Sequence, residues 1–344
     1  GELVPVNFPG LPRLTPFQTE MIAMHMLRGD RELTRTLMTN GSVDLSYSIP
    51  QKTRFRVNIF AQRGTYAIVL RVIPEGVPSL ESLKMPKELW NVARLKNGIV
   101  LVTGPTGSGK STTLAALINE INHNCAYHII TIEDPVEYMH RHVKSTVNQR
   151  EVGADTRTFS LALRAALRQA PKVILIGEMR DVETIEIAME AAETGHLVLS
   201  TLHTIDATKT VDRIIGVFPK DQEPQIRTRL SQSFRYVISQ RLLPKIGGGR
   251  IAALEILKSS MRTRDYVMRG ESEGRSLTDA MHDGLVDGMQ SFDDEIEKLW
   301  QQRVISKETA LAYASNPVNL ALRLGDENLS APPEEGESML SMLE

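Results

Sequence analysis

The chain of 344 residues is long enough for about two domains, and its 41% hydrophobic and 24% charged content is typical of a globular protein. Its net charge of −2 argues against a nucleic-acid binder, and its single cysteine, Cys125, excludes a disulfide framework and a four-cysteine zinc module. No apolar run approaches the length of a membrane span and no signal peptide is evident, so we expect a cytoplasmic protein without direct membrane insertion.

The first part of the chain predicts a small α+β module. Apolar residues at helical spacing cover residues 14–40, with a break at Gly29. Three alternating segments follow, and Gly64 predicts a hairpin turn between the last two. The segments are Ser42–Ile49, Thr53–Phe60 and Thr65–Ile73. We expect an N-terminal domain over residues 1–75 that lacks some upstream residues, and a linker with glycine and proline at 76–86.

The middle of the chain alternates strands and helices, which predicts a parallel, doubly wound sheet. We expect this α/β domain to cover residues 87–260. The predicted strands are Ile99–Thr103, His128–Ile132, Val173–Ile176 and Leu197–Leu202, and the predicted helices are Thr112–Ile121, Phe159–Gln169 and Val182–Ala192. Ligands of such sheets bind at the carboxyl ends of the strands.

The last part of the chain is expected to be mostly helical. Gln225–Leu242 has the spacing of one long amphipathic helix, and Ile251–Leu257 that of a short strand. Residues 261–324 predict a small helical region. Residues 325–344 carry six acids and no base, so we expect an acidic, disordered tail.

The most informative segment is Gly104-Pro105-Thr106-Gly107-Ser108-Gly109-Lys110-Ser111, which fits the phosphate-binding pattern G-x-x-x-x-G-K-[ST]. An apolar strand precedes it and a helix follows, so its glycines and the helix N-terminus form a cradle for phosphate. Lys110 is expected to reach the β- and γ-phosphates, and the Ser111 hydroxyl to bind Mg²⁺. Thr112 belongs to the same predicted binding segment. We therefore predict ATP and Mg²⁺ as cofactors.

Acidic residues follow two of the predicted strands. Glu178 ends an apolar segment after the P-loop, where a Walker B carboxylate polarises water or holds Mg²⁺ through water. Glu133 is the candidate that orients or deprotonates the attacking water, with Asp134 and Glu137 as weaker candidates. The alternative for Glu178 is an ordinary surface carboxylate after a core strand. The alternative for Glu133 and its acidic neighbours is a turn exposed to solvent.

Histidines and arginines complete the candidate site. His203 follows Leu197–Leu202 and is expected to donate a hydrogen bond to the γ-phosphate, while His196 is a weaker candidate. Arg56 and Arg71 lie in otherwise apolar alternating segments, and arginines from outside a P-loop domain commonly stabilise transferred phosphate. The alternative for both arginines is a solvated or salt-bridged face.

Four motifs resemble, in order, the Walker A, Asp box, Walker B and His box of the type II/IV secretion ATPase superfamily. They are Gly104–Ser111, Thr131–Glu137, Ile176–Asp181 and Thr194–His203. Within that superfamily the chain is most similar to the retraction ATPases of type IV pili, from Leu14 to about Asn319. The resemblance implies a RecA-like P-loop core, an N-terminal PAS-like domain and C-terminal helices, assembled as a homohexamer.

The resemblance also implies roles and partners. Arg56 and Arg71 would close over the nucleotide, and Glu133 and Glu178 would be the catalytic acids. ATP hydrolysis would drive rotations between the domains and act on an inner-membrane platform protein of the pilus, at which the cytoplasmic motor would be peripheral. A related pilus ATPase is a further candidate partner. Met261–Glu271 departs from the C-terminal signature of retraction ATPases, so an accessory, extension or secretion ATPase stays open.

Two other functions compete with this interpretation. An ATPase that translocates nucleic acid predicts clustered basic and aromatic residues, whereas aromatic content is 5% and the charge balance is slightly acidic. A GTPase requires a guanine-reading N/T-K-x-D motif, which has no suitable counterpart in the sequence. A small-molecule kinase would be a monomer that phosphorylates a metabolite.

Overall fold

A computed structural model of the protein describes residues 4–6, 9–10, 13–49, 52–73, 76–272 and 274–325. The expectations about residues upstream of Gly1 and about residues 326–344 of the acidic tail lie outside these ranges.

The N-terminal part is an antiparallel sheet covered on one face by two helices. Its elements are α1 (Pro16–Leu27), α2 (Arg31–Asn40), β1 (Ser42–Ile49), β2 (Thr53–Gln62) and β3 (Thr65–Ile73), with strand order β1-β2-β3. The predicted helix break and hairpin are confirmed. Val57 and Ile59 of β2 are buried against α1 and α2, so the alternate residues of β2 face away from the helices.

The opposite face of this sheet carries the two candidate arginines. Arg56 of β2 lies directly across from Arg71 of β3 in the antiparallel register. Arg54 lies two residues before Arg56 and therefore shares its face. This face of the N-terminal sheet is the one that presents basic side chains.

The α/β part contains the predicted central sheet. Its elements are α3 (Glu88–Ala93), β4 (Gly98–Thr103), α4 (Lys110–Asn124), β5 (His128–Glu133), β6 (Thr146–Glu151), α5 (Phe159–Ala166), β7 (Val173–Ile176), α6 (Val182–Glu193), β8 (Leu197–Leu202), α7 (Ala207–Ile215), α8 (Glu223–Ser233), β9 (Phe234–Pro244) and β10 (Arg250–Lys258). The seven strands have the order β10-β9-β4-β8-β7-β5-β6. All neighbours are parallel except β9 and β10, which form an antiparallel pair at one edge.

Helices cover both faces of this sheet, as the doubly wound pattern predicts. One buried cluster joins the strands to α5, α6, α7 and α8, and a second joins them to α3 and α4. Leu80 and Met85, from the predicted linker, are buried in the second cluster. Part of that segment therefore packs on the α/β domain.

The prediction of a single helix over Gln225–Leu242 is wrong. Helix α8 ends at Ser233, and the following residues form β9, which pairs with β4 on one side and β10 on the other. The apolar run that begins at Phe234 fits either a buried helix or a buried strand, and the long-range pairing decides between them. Strand β6 was not predicted, because its sequence is polar and lies at the sheet edge.

The C-terminal helices extend the edge of the central sheet. They are α9 (Met261–Arg269), α10 (Leu277–Asp283), α11 (Phe292–Gln301), α12 (Lys307–Tyr313) and α13 (Pro317–Arg323). Leu243 of β9 and Ala253 of β10 share a buried cluster with α11, α12 and α13. Arg241 of β9 stacks on the Phe292 ring at 3.8 Å from its centroid and donates to the Tyr313 carbonyl at 2.6 Å. None of the helices in the described ranges combines the length and apolarity that a membrane span requires.

Candidate active site

The P-loop leaves the buried end of β4 and enters α4 through two glycines that admit no side chain. Gly104 has φ +142°, and a Cβ on it would collide with the main-chain oxygen of Gln240. Gly109 has φ +92°, and its Cβ would lie 2.8 Å from Nε2 of Gln240. Glycine is needed at both positions because the loop combines a left-handed backbone with close approach to β9.

Gln240 holds this loop from behind. Its buried side chain donates from Nε2 to the Ser108 carbonyl at 2.6 Å and accepts from the Thr113 hydroxyl at 2.7 Å. One amide therefore links the P-loop to the first turn of α4. Gln240 was not predicted as a site residue because the spacing of its neighbours also fits a helix. A polar amide within an apolar strand run is the signal that could have found it.

Lys110 is buried at the start of α4. Its ammonium group donates to the carbonyls of Gly104 at 2.9 Å and Pro105 at 3.1 Å. Burial lowers its pKa, and the negative charges of Glu137 and Glu178 oppose that shift. The P-loop thus holds a partly desolvated positive charge against two of its own carbonyl oxygens.

All six predicted catalytic residues line one cavity of about 560 Å³. They are Arg56, Arg71, Lys110, Glu133, Glu178 and His203. The cavity also contains the predicted binding residues Thr106, Gly107, Gly109, Lys110, Ser111 and Thr112. Gly104, Pro105 and Ser108 do not line the cavity. The carboxyl ends of β4, β5, β7 and β8 meet there, as a parallel sheet requires.

Glu178 lies just beyond the end of β7 and faces two basic groups. Its Oε2 is 2.5 Å from Nε of Arg180 and 3.6 Å from Nε2 of His203. Burial and the charge of Lys110 lower the pKa of His203, and Glu178 opposes the shift. At neutral pH His203 is therefore a neutral imidazole that can donate or accept one hydrogen bond. Arg180 lies within the Walker B segment but was not predicted as a site residue.

Glu133 ends β5 in a mostly buried environment. Its carboxylate accepts from the Thr131 hydroxyl at 2.6 Å and from Nε2 of Gln149 at 3.2 Å. Burial raises the pKa of Glu133, while these hydrogen bonds act in the opposite direction. A carboxylate with a raised pKa is a better proton acceptor than an ordinary surface glutamate. The site therefore contains a desolvated carboxyl group in the same cavity as the P-loop.

The neighbouring acid belongs to the same electrostatic cluster. Burial, and then the negative charge of Glu178, raises the pKa of Asp134, whereas Arg56 and Arg180 lower it. Asp134 therefore lies where the charges of the N-terminal sheet and of the Walker B segment act on the same carboxyl group.

The structure separates the two histidines. His203 lines the cavity, whereas His196 lies before β8, at the opposite end of the strand, with Nδ1 2.9 Å from the Ala191 carbonyl. His196 thus belongs to the turn between α6 and β8. The weaker candidate is not brought to the site.

Other residues that were not predicted as site residues also line the cavity, among them Tyr138, His140, Leu242 and Arg250. The Tyr138 hydroxyl lies 2.9 Å from the Thr112 hydroxyl, which ties the acidic turn to α4. Burial lowers the pKa of His140 to about 4, so this imidazole is neutral. Leu242 and Arg250 come from β9 and β10, on the other side of the P-loop strand from Glu133 and Glu178.

The donor set suits a magnesium ion that arrives with a nucleotide. Ser111 and Glu178 both line the cavity, whereas the described ranges contain no group of three or more His, Cys, Asp or Glu side chains that could hold a metal by themselves. Mg²⁺ is commonly bound by one or two protein oxygens together with phosphates and waters. The residues present therefore fit a Mg²⁺ ion that is also bound by phosphates and water, but they do not form a site in which the protein supplies every ligand.

Comparisons with known proteins agree with this geometry. The family pattern described as "Type II/IV secretion system protein" matches residues 30–284. The type IV pilus retraction ATPase PilT of Pseudomonas aeruginosa is 48% identical over 276 residues, which cover 80% of each chain. The type IV pilus ATPase PilU of the same organism is 41% identical over 331 residues, covering 95% of this chain and 85% of PilU.

A solved structure extends the similarity to three dimensions. The crystal structure of the pilus retraction motor PilT with bound ADP has a TM-score of 0.82 and 45% sequence identity to the chain, covering 90% of this chain and 88% of that one. The similarity in three dimensions therefore extends over most of the chain.

Proposed function

The chain belongs to the type II/IV secretion system protein family and is an ATPase, and we propose that it is the motor that powers type IV pilus retraction. The observation that carries this proposal is the convergence, in one cavity, of the P-loop, the acids after β5 and β7, the histidine after β8 and the arginine pair. A phosphate-binding protein needs only the first of these, whereas hydrolysis also needs a group that orients the attacking water and positive charge on the transferred phosphate.

Nucleotide binding would depend on the P-loop. The N–H groups of Gly107 and Gly109 and the start of α4 would hold the phosphates, and Lys110 would exchange its loop carbonyls for phosphate oxygens. Ser111 would bind the Mg²⁺ that accompanies ATP, and Glu178 would bind it through water. The ion neutralises negative charge on the phosphates when it is bound.

Hydrolysis would use the desolvated carboxylates. Glu133 would orient the attacking water and accept its proton, which fits its raised pKa. The neutral imidazole of His203 would hydrogen-bond the γ-phosphate and so respond to its presence. These assignments divide the chemistry between the ends of β5 and β8, with Glu178 just beyond the end of β7, the strand between them.

The arginine pair would make hydrolysis depend on domain position. Arg56 and Arg71 come from the N-terminal sheet and line the same cavity as Lys110. Added positive charge stabilises the transferred phosphoryl group only while that sheet covers the site. Loss of the γ-phosphate would weaken this contact, so hydrolysis would release the N-terminal domain and produce movement.

We further propose that six copies form a ring and act on a platform protein of the inner membrane, with the motor on the cytoplasmic side. Purified protein should have Mg²⁺-dependent ATPase activity and six times the mass of the chain in light scattering. Deletion of the gene should leave surplus surface pili and abolish twitching. Absence of pili after deletion would instead indicate an extension motor, and a monomer that phosphorylates a metabolite would contradict the motor.

An accessory role beside another pilus ATPase is the second candidate. It is favoured by the similarity to PilU, which covers 95% of this chain against 80% for PilT. An accessory motor should leave twitching largely intact when its own Walker B glutamate is changed, provided that the related ATPase is active. Complementation of the deletion with Glu178→Gln therefore separates the two roles.

A further inference from the structure

One buried carboxylate oxygen contacts both the N-terminal sheet and the turn that follows β5. Glu151 ends β6, and its side chain is only 5% exposed. Its Oε2 accepts from Nη2 of Arg54 at 2.8 Å and from the main-chain N–H of Val136 at 3.1 Å. Arg54 belongs to the N-terminal sheet and Val136 to the acidic turn after β5. The same oxygen atom therefore contacts both domains.

Each of these partners lies next to a catalytic candidate. Arg54 shares the face of β2 that carries Arg56, two residues further on. Val136 lies in the short turn that begins at Glu133. A displacement of either partner would therefore move a residue that lines the cavity.

Glu151 is itself fixed on the central sheet. Its strand pairs with β5 in parallel register, with Glu151 directly beside Glu133. Its main-chain N–H donates to a carboxylate oxygen of Asp155 at 2.8 Å. Because its position is set by the sheet edge, Glu151 can act as a fixed point against which the N-terminal sheet is held.

The Arg54–Glu151 ion pair is largely buried, so the loss of one partner should cost more than it does in an ion pair on the surface. The Arg54 side chain is 23% exposed, and among the described residues its Nε is a buried group without a hydrogen-bond partner. Removing one partner of such a pair leaves an uncompensated buried charge, which is strongly unfavourable. Arg164 and Glu183 form a comparison pair of similar length, 2.9 Å, but both side chains are more than half exposed.

We propose that Glu151 is a positioning residue that aligns Arg56 with Glu133 across the cavity, through the Arg54 ion pair and the Val136 amide. This inference rests on the proposed ATPase function for its kinetic consequence. While the Arg54–Glu151 bridge is intact, the N-terminal sheet covers the cavity. When the bridge opens, the arginine pair can leave the cavity while the P-loop keeps its shape.

The kinetic test is a double-mutant cycle. Glu151→Gln keeps an acceptor for the Val136 amide but removes the charge, and Arg54→Gln removes the other partner. Each should lower kcat roughly tenfold, and the double variant should lose no more than either single one, because both break the same interaction. KM for ATP should change less than about threefold, since Lys110 and the P-loop are untouched. Glu183→Gln is the matched control and should retain wild-type kcat.

A wild-type kcat for Glu151→Gln, or a double variant whose loss is the product of the single losses, would overturn the proposal. The proposal would also be overturned if both single variants raised KM for ATP by the same factor and left kcat unchanged, because that result would indicate a role in binding ATP.

A distance measurement tests the bridge without any turnover. Spin labels at Met38→Cys in α2 and Glu186→Cys in α6, both exposed positions, report the separation of the two domains in a Cys125→Ser background. Labelled protein is mixed with excess label-free protein, so that distances between copies do not contribute. Glu151→Gln should broaden and lengthen the distance distribution relative to Glu183→Gln. An unchanged distribution would overturn the bridge alone, whereas a wild-type protein without ATPase activity would overturn the proposed function and leave this measurement valid.

Discussion

Arg56 and Arg71 lie directly opposite each other on β2 and β3, and both line the cavity that contains Lys110. Like charges in directly opposed positions of an antiparallel pair are unfavourable. Asp134 offsets part of this charge, since Arg56 acts on its carboxyl group. A pair of arginines held in this way is suited to a ligand with several negative charges, such as the phosphates of ATP.

Replacing Arg71 with glutamine should therefore separate activity from stability. Turnover should fall on the order of 10³-fold, because an arginine that stabilises transferred phosphate contributes that much. The melting temperature without nucleotide should stay the same or rise, because one of two opposed charges is removed. Phosphate release and thermal unfolding measure the two effects. Arg63→Gln, at the hairpin turn and away from the cavity, is the control; a turnover within a few-fold of wild type for Arg71→Gln would contradict the assigned role.

Glu178→Gln should bind ATP and hydrolyse it very slowly. The substitution preserves the shape of the side chain but removes the charge that faces Arg180 and His203. We expect turnover to fall roughly 10²- to 10⁴-fold, the usual contribution of a positioned acid or base. Binding of a fluorescent ATP analogue and single-turnover hydrolysis distinguish the two steps. Glu186→Gln, exposed on α6, should behave as wild type, and unimpaired hydrolysis by Glu178→Gln would remove this residue from the mechanism.

Gln240→Leu should weaken both the fold and nucleotide binding. It leaves the Ser108 carbonyl and the Thr113 hydroxyl without the amide that now pairs with each of them. An unpaired buried polar group costs about 1–3 kcal/mol, so the free energy of unfolding in urea should fall by at least that amount. The dissociation constant for ATP should rise as the P-loop loses its support. Gln232→Leu, on the exposed side of α8, provides the comparison, and equal effects of the two changes would argue against a special role for Gln240.

Glu255 should make stability depend on pH. It lies in β10 and accepts from the N–H of Ala207 at 2.7 Å, and burial raises its pKa to about 7. Because the folded state holds a proton that the unfolded state releases near pH 4.5, stability is lost as pH rises from about 4.5 to 7. The loss from this group is about 3 kcal/mol, from 1.36 kcal/mol per pKa unit.

Glu255→Gln tests this assignment, because its amide oxygen can still accept from Ala207 but does not titrate. Urea unfolding at pH 5 and pH 8 should show a smaller pH dependence for the variant and a gain over the wild type at pH 8. Parallel pH profiles for the two proteins would show that another group is responsible.

The parts of the site that could be predicted from sequence are those whose position follows from a short motif. Gly104–Ser111, Glu133, Glu178 and His203 each follow an apolar strand, and the parallel order of the sheet brings such strand ends together. The arginine pair could be predicted because the alternation of apolar and polar residues indicates two strands joined by a hairpin, with Arg56 in one strand and Arg71 in the other.

The residues that were missed depend on contacts between distant parts of the chain. Gln240 supports the P-loop only because β9 pairs with β4, and the spacing of its neighbours also fits a helix. Glu151 ends a polar edge strand that no apolar pattern marks, and its role follows from one contact to the N-terminal sheet and one to the turn after β5. Local periodicity contains no information about either pairing.

Strand β9 touches the nucleotide loop and the C-terminal helices through adjacent residues. Gln240 contacts the P-loop, and Arg241, on the other face of the strand, stacks on Phe292 and binds the Tyr313 carbonyl. Because β9 is paired with β4 and β10, a displacement of the P-loop would act on Gln240, one residue from the contacts that hold α11 and the end of α12. A single peptide unit therefore separates the contact with the phosphate-binding loop from the contacts with the C-terminal helices.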